Sequence, residues 1–210
     1  MKLKLALLTS FLYLSLGFAQ EKDVETEYAT QQDTKVKRLS LGIKLGIPTI
    51  ASGAGEVVLP FLNNHIAPYL DYGKTKFTLE DAITNYSFFE YGVNFYTGKK
   101  GYGFFIGIGK SALNSEVNFK NLDFGIQGAK GTVTVPFDLE TTNLRFGVKT
   151  GGTIYFKFDL GYGIGDVPET INFTASSNGI TKGFSEDLPP LPGVGSSGIL
   201  LGSIGLGFSF

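Results

Sequence analysis

The stretch IYFKFDLGYGI, residues 154–164, carries a large apolar side chain at every second position. The positions between them include Lys157, Asp159, Gly161 and Gly163. A period of two is that of a β-strand, in which successive side chains point to opposite faces. One face of this predicted strand is therefore continuous hydrocarbon, while the other combines charge with glycine. The fold depends on which of these two faces lies inside the protein.

The same alternation recurs along the chain from Arg38 to the C-terminus and predicts eight strands. Tight turns are expected at 62–65, 98–101 and 151–152, and they alternate with other, mostly longer connections. Eight antiparallel strands can close into a barrel that leaves no unpaired edge. The predicted strands lie near residues 39–47, 54–61, 66–78, 86–96, 102–108, 144–148, 154–164 and 202–210.

Two long excursions carry strand-like patterns of their own. The apolar positions are even through Ile108, odd over 113–119 and 133–139, and even again from Leu144. A β-bulge in each strand would explain this reversal, since one extra residue exchanges the two faces. In the second excursion, Asn178-Gly179 suits a type I′ turn that would set Phe173 opposite Phe184. Irregular loops are the alternative for both excursions, and EDAITN, residues 80–85, is predicted to be a loop.

The second face of the strands decides between a soluble and a membrane-spanning barrel. It carries glycine, serine, asparagine and threonine, with four positive and four negative side chains. The interior of an eight-stranded barrel is narrow, so the many large apolar groups would not fit inside it. We therefore expect these apolar groups to face lipid, and the charged side chains to form a paired, structural network in the lumen. The eight charged residues are Lys44, Glu56, Asp71, Glu90, Arg145, Lys149, Lys157 and Asp159.

Aromatic residues at strand ends fit the same arrangement. Tyr86, Tyr96, Tyr102, Tyr162 and Phe210 are predicted to lie near the two membrane interfaces, where such barrels carry aromatic girdles. The alternative is the ordinary preference of aromatic residues for strands, which does not explain their place at strand ends.

Composition and charge limit the domain organisation and the kinds of partner and site that the chain can have. Residues 1–19 have a basic start and an apolar run, as in a cleaved signal peptide, and the polar residues 20–37 are expected to form a flexible leader. The barrel domain would then span 38–210. Without the two lysines of the signal, 16 basic residues face 19 acidic ones, which argues against a nucleic-acid partner. The absence of cysteine excludes disulfides and thiolate metal sites.

The C-terminal residues carry a family resemblance. Ser203, Gly205, Phe208 and Phe210 resemble the assembly signal of bacterial outer-membrane β-barrels, in which a polar residue and a glycine precede terminal apolar or aromatic residues. Residues 38–210 as a whole resemble the small eight-stranded outer-membrane proteins of Gram-negative bacteria. The resemblance implies periplasmic chaperones, insertion by the barrel assembly machinery, contact with outer-membrane lipid, and both termini in the periplasm.

Catalytic chemistry has little support in the sequence. The single histidine, His65, falls in a predicted tight turn, and no Ser-His-Asp arrangement or cofactor motif stands out. We therefore expect a non-enzymatic barrel with a structural or surface-interaction role, in which the excursions 113–139 and 166–192 are candidate binding elements. A narrow pore or a carrier of small apolar ligands is the alternative. A lipid-modifying enzyme is the third class. No cofactor, metal or catalytic residue is predicted.

Overall fold

The computed structural model describes residues 35–79, 82–123, 130–177, 180–188 and 193–210. The predicted signal peptide, residues 1–19, and the leader up to residue 34 lie outside the described residues. Residues Val36–Phe210 form one compact unit. In the described ranges, no helix is long and apolar enough to cross a membrane.

Eleven β-strands make up the described chain, together with one short 3-10 helix at Leu62–Asn64. Eight of the strands form the barrel, and three are additional. The strands are β1 (Leu39–Ile47), β2 (Ile50–Val57), β3 (Ile66–Leu79), β4 (Ala82–Tyr96), β5 (Gly103–Asp123), β6 (Lys130–Lys149), β7 (Ile154–Ile164), β8 (Thr170–Ser177), β9 (Ile180–Asp187), β10 (Val194–Gly195) and β11 (Gly198–Ser209).

The barrel closes because the first and last strands pair with each other. Strand β1 pairs with β2 and with β11, β11 pairs with β7, and each strand from β2 to β7 pairs with its neighbour. Every pairing is antiparallel. We call the end that holds Leu39 and Ser209 the terminal end, and the opposite end the distal end. The predicted fold, a closed eight-stranded antiparallel barrel with up-and-down topology, is confirmed.

The apolar face of the strands points outward. In β7 the side chains of Phe156, Phe158 and Leu160 are 59%, 46% and 42% exposed, whereas that of Asp159 is 1% exposed. The eleven residues of β7 rise about 25 Å if the strand is tilted as in known barrels, which matches the apolar band of an outer-membrane barrel. The outer surface therefore suits hydrocarbon, and the inward face carries the charge.

The strands of one half of the barrel continue beyond this apolar band. Strands β5 and β6 are 21 and 20 residues long, against nine and eight residues for β1 and β2. The hairpin β8–β9 adds to the edge of β6 through Thr132–Thr134. The distal parts of β3, β4, β5 and β6, with β8 and β9, form a sheet that we call the distal extension.

The predicted bulges in β5 and β6 are wrong. Pairing runs without a register shift from Gly103 opposite Lys149 to Phe119 opposite Val133, and the first irregularity follows Phe119. The odd-numbered side chains therefore point inward, and Leu113 and Leu139 are buried. The apolar residues change face because the outer side no longer meets lipid beyond the band, so polar residues can occupy it.

Other boundaries also differ from the sequence-based expectation. The second strand begins at Ile50 and not near 54, because Pro48 and Thr49 form the turn, and both Leu59 and Phe61 lie beyond its end. The predicted loop 80–85 is wrong for 82–85, which pair with β3 and β5 as part of β4; residues 80 and 81 are outside the described part.

The second excursion is a hairpin with the predicted register. Phe173 pairs with Phe184, and the two rings stack with their centroids 5.5 Å apart. The predicted turn residues Asn178 and Gly179 lie outside the described residues.

Two of the five predicted interface aromatics are inside the barrel. The side chains of Tyr86 and Tyr96 are buried, whereas Tyr102, Tyr162 and Phe210 are exposed on the outer side. The reason is strand alternation, because the odd-numbered residues of β4 face outward and both tyrosines have even numbers. The expectation for Tyr86 and Tyr96 is therefore wrong.

Glycine makes room for the charged side chains of the interior. Gly161 lies opposite Arg145, and a Cβ atom on Gly161 would collide with the carbonyl oxygen of Leu144 and lie 3.0 Å from Cγ of Arg145. Gly183, in β9, has open space at the same position.

The contrast between these glycines gives a matched test. Gly161→Ala is expected to lower the free energy of unfolding of the barrel by about 1–3 kcal/mol, because overpacking a filled interior forces neighbours to shift. Gly183→Ala should leave it unchanged within about 0.5 kcal/mol. Urea titration, monitored by heat modifiability on gels, measures the free energy of unfolding of both variants. Equal stability of the two variants would show that the interior is loosely packed around Arg145.

Candidate functional site

The eight charged residues predicted for the lumen lie together in the interior of the barrel. Seven of them are buried, and Lys157 is partly buried. They come from six different strands, so only closure of the barrel brings them together. Two groups can be distinguished by their ion pairs, one around Arg145 and the other around Glu56.

Arg145 is the centre of the first group. Its Nε and Nη2 atoms donate to the two carboxylate oxygens of Glu90 at 2.8 and 2.7 Å, and its Nη1 donates to Asp159 at 2.6 Å. Lys44 donates to Asp71 at 2.7 Å, and its Nζ lies 3.8 Å from Oδ2 of Asp159. The group thus holds two positive and three negative side chains.

Glu56 is the centre of the second group. One of its carboxylate oxygens accepts from Lys149 at 2.7 Å and the other from Lys157 at 2.8 Å. This group has two positive side chains and one negative one. Its net charge is therefore positive, whereas that of the first group is negative. The two groups together are neutral when all eight side chains are charged, as a poorly solvated interior requires.

Neutral side chains complete the network, and sequence reasoning missed most of them. Tyr69 donates to Glu90 at 2.9 Å, and Asn94 and Tyr96 donate to Glu56 at 2.7 and 2.8 Å. Ser203, which we predicted only as part of the assembly signal, donates to Asp159 at 2.6 Å. The alternation of strand faces could have identified these residues. Odd-numbered residues of β3, such as Tyr69, and even-numbered residues of β4, such as Asn94 and Tyr96, point inward.

Apolar clusters lie on both sides of the charged network. Towards the terminal end, Val58, Ala67, Tyr96 and Phe105 form a buried cluster against Val36. Towards the distal end, a larger cluster fills the interior. We call it the distal plug; its buried members are Tyr86, Phe88, Leu113, Leu139, Val167, Ile199 and Leu201.

Little open space remains among the charged side chains. A cavity of about 20 Å³ is lined by residues of both groups, among them Lys44, Glu56 and Asp159. Such a space holds about one water molecule. Each carboxylate accepts a hydrogen bond from a cation, and all except Asp71 also accept one from a hydroxyl or amide donor, so the arrangement is suited to holding strands together. It leaves no room for a substrate.

The other residues that the sequence singled out lie outside the two charged groups. His65 is at the terminal end, where its Nδ1 lies 2.6 Å from the carbonyl oxygen of Tyr96 and its ring stacks on Phe95. The described residues contain no cluster of histidine, aspartate and glutamate that could hold a metal ion. Phe208 and Phe210 face outward and Gly205 lies opposite Lys157, while the role of these residues in assembly stays a prediction.

The distal extension has two faces of opposite character. On the outer face, Asn85 and Asn118 donate to Glu116, and Thr134 donates to Asn118 at 2.7 Å. The inner face continues the distal plug and is rich in valine and phenylalanine. Its apolar side chains are partly or largely exposed.

Comparison with known proteins identifies the fold. The crystal structure of a major outer membrane protein from Thermus thermophilus matches with a TM-score of 0.52 and 11% identity over 82% of this chain and 98% of that chain. The crystal structure of CarO from Acinetobacter baumannii matches with a TM-score of 0.49 and 10% identity over 82% of this chain and 98% of that chain. No protein-family model and no curated protein matches the sequence. The closed antiparallel barrel and the match to the Thermus thermophilus protein together show that the chain has the barrel fold of bacterial outer-membrane proteins, as the resemblance of residues 38–210 implied.

Arg145 should be the most sensitive residue of the network. Arg145→Met leaves Glu90 and Asp159 buried without their main partner, and we expect the free energy of unfolding to fall by about 3–5 kcal/mol. Urea titration in detergent or vesicles measures the loss. The double variant Arg145→Met with Glu90→Gln should recover part of it, because one uncompensated charge is removed. Additive losses in the double variant would contradict the coupling drawn from the geometry.

Proposed function

We propose that this protein is a non-enzymatic outer-membrane barrel that binds a partner or ligand at the cell surface and does not conduct solutes. The observation that carries the proposal is the filled interior. Eight charged side chains, their neutral partners and two apolar clusters occupy the lumen, and the cavity among the charges is about 20 Å³. A barrel of eight strands is normally filled in this way by its own side chains.

The distal end is proposed to face the outside of the cell, with both termini in the periplasm. The connections at the terminal end are short, for example the turn between Tyr96 and Gly103, while the distal strands extend past the apolar band. In known outer-membrane barrels the short turns are periplasmic and the longer segments are extracellular. This orientation makes the distal extension, including the excursions 113–139 and 166–192, the candidate binding element.

The alternatives have weaker support. A pore would need a continuous polar path, and the distal plug interrupts it with apolar side chains such as Phe88 and Leu139. A lipid-modifying enzyme would need a nucleophile and base near the outer leaflet, and His65 lies at the other end. Outer-membrane lipid, periplasmic chaperones and the barrel assembly machinery remain the proposed partners in biogenesis.

Conductance tests the closed lumen. The purified protein, reconstituted in planar bilayers, should give no discrete current steps at voltages where a large porin prepared in the same way gives them. The physical reason is that an ion would have to pass both the apolar plug and the paired charges, at a high desolvation cost. Reproducible steps that disappear after heat denaturation would contradict the proposal and favour the pore.

Orientation can be tested because the chain has no cysteine. Single variants Ser185→Cys, in β9, and Lys99→Cys, in the turn after β4, place one thiol at each end on exposed positions. In intact cells, a membrane-impermeant maleimide should label the first variant at least about tenfold faster than the second, because only the distal end meets the medium. Both should react equally after the outer membrane is permeabilised. Preferential labelling of the Lys99→Cys variant in intact cells would reverse the orientation.

A further inference from the structure

We propose that the inner face of the distal extension binds a neutral, elongated apolar molecule that reaches it from the water outside the cell. The inference rests on the proposed function, since it requires the distal end to face outward. It names the class of ligand that the surface would take.

The inner face is defined by strand register. Phe88 pairs with Leu113, Leu113 pairs with Leu139, and all three belong to the distal plug. Because the register continues without a shift to Phe119 opposite Val133, alternate residues beyond the plug stay on the same face. Val133 pairs with Ala175, which extends the face onto β8 and β9. Its apolar members are Phe77, Val117, Phe119, Val133, Val135, Phe137, Ile171, Phe173 and Phe184.

These side chains are accessible. Phe119 and Phe184 are 37% and 48% exposed, and the other members are partly buried. Apolar groups that are grouped on a surface in contact with water often mark a binding site. The plug closes the bottom of the face, so an occupant would enter from the distal side and end against Phe137, which packs on the plug.

The height of the surface argues for a ligand that comes from the water and against membrane lipid. Leu144 is the last residue of the apolar band on β6. Val135 lies nine residues from it in the same strand, towards the distal end. At the usual rise and tilt this is roughly 20 Å above the band. The hydrocarbon of the bilayer does not extend that far.

The edges of the extension argue against a partner that adds a β-strand. Strand β2 pairs with β3 only as far as Tyr72, and β9 pairs only with β8 among the described residues, so both edges are open. These edges carry Lys74 and Lys76 on β3, and Lys182 on β9. Lysine on an edge strand is a common means of preventing added pairing. The face between the edges is therefore the better binding surface.

Charge argues for a neutral occupant. Among the described side chains of the inner face, the only charged ones are Lys182 and Glu186, which are both on β9 and of opposite sign. The polar members Thr75, Thr84 and Ser115 are uncharged. Apolar lining with a few hydroxyl groups is typical of small-molecule sites.

Fluorescence can test the inference because the chain contains no tryptophan. Phe119→Trp places an indole on the inner face, and Asn118→Trp places one on the outer face at nearly the same height. Phe146→Trp, on the apolar band, is the control for contact with lipid, because Phe146 is 59% exposed. The probe is a dibrominated long-chain fatty alcohol, since bromine quenches indole only on close contact.

In vesicles of unbrominated phospholipid, the alcohol should quench the indole at position 119 saturably and leave the one at 118 unquenched. In vesicles of phospholipid brominated on its acyl chains, position 146 should be quenched and position 119 should not. Equal quenching at 118 and 119 would overturn the inference. Quenching at 119 by the brominated phospholipid would overturn the assignment to a ligand from the water.

A charge on the inner face should block the site. In the Phe119→Trp protein, Val135→Lys should raise the half-saturating concentration of the alcohol by at least about tenfold, because the ligand would desolvate an unpaired charge. Thr134→Lys, the neighbouring outward position, should change it by less than about twofold. Heat modifiability shows whether each variant has folded. Unchanged binding in folded Val135→Lys would refute the site, whereas reversed maleimide labelling would refute the proposed function independently of quenching.

Discussion

Pairing of charge inside the barrel is the constraint on which the rest of this structure depends. The outer surface is apolar because it faces hydrocarbon. The charged side chains of the membrane-spanning part of the strands therefore lie on the inward face. A buried charge without a partner costs several kcal/mol, and every lumen charge described here has a partner. Arg145 joins two of the carboxylates, because its planar guanidinium binds Glu90 through two parallel hydrogen bonds and still reaches Asp159. The network links strands that are distant in sequence, and it is consistent only in the closed barrel.

The space for this network comes from glycine. Arg145 pairs across the sheet with Gly161, and both Lys44 and Lys157 pair with Gly205. Long side chains and absent ones thus alternate around the narrow interior, in the way that large and small residues fill small barrels. The small remaining cavity shows how closely the two sets complement each other.

Beyond the apolar band, the same strands exchange the roles of their two faces. In β5, Phe104, Ile106 and Ile108 face outward, whereas Leu113, Val117 and Phe119 face inward, with no irregularity between the two sets. The exchange follows the surroundings, because the outer face meets lipid at one height and water at the other. It leaves an apolar inner surface on an open sheet, beyond the apolar band and next to a plug of the same character. The proposed binding role arises from this change of surroundings.

The sequence by itself determined the strand faces of the membrane-spanning part and the identity of the eight inward charges, because a period of two and a narrow barrel leave one consistent arrangement. It also determined the register of Phe173 and Phe184 through the intervening turn residues. It did not determine the facing of 113–119 and 133–139, where a bulge and a change of surroundings predict the same pattern. The prediction for Tyr96 was wrong for a related reason. Its position at a strand end suggested the membrane interface, but its even number in β4 points it inward, where it contacts Glu56. Which cation binds which carboxylate was decided only by the tertiary structure, because these contacts join residues as far apart in sequence as Lys44 and Asp159 and depend on the stagger of the closed strands.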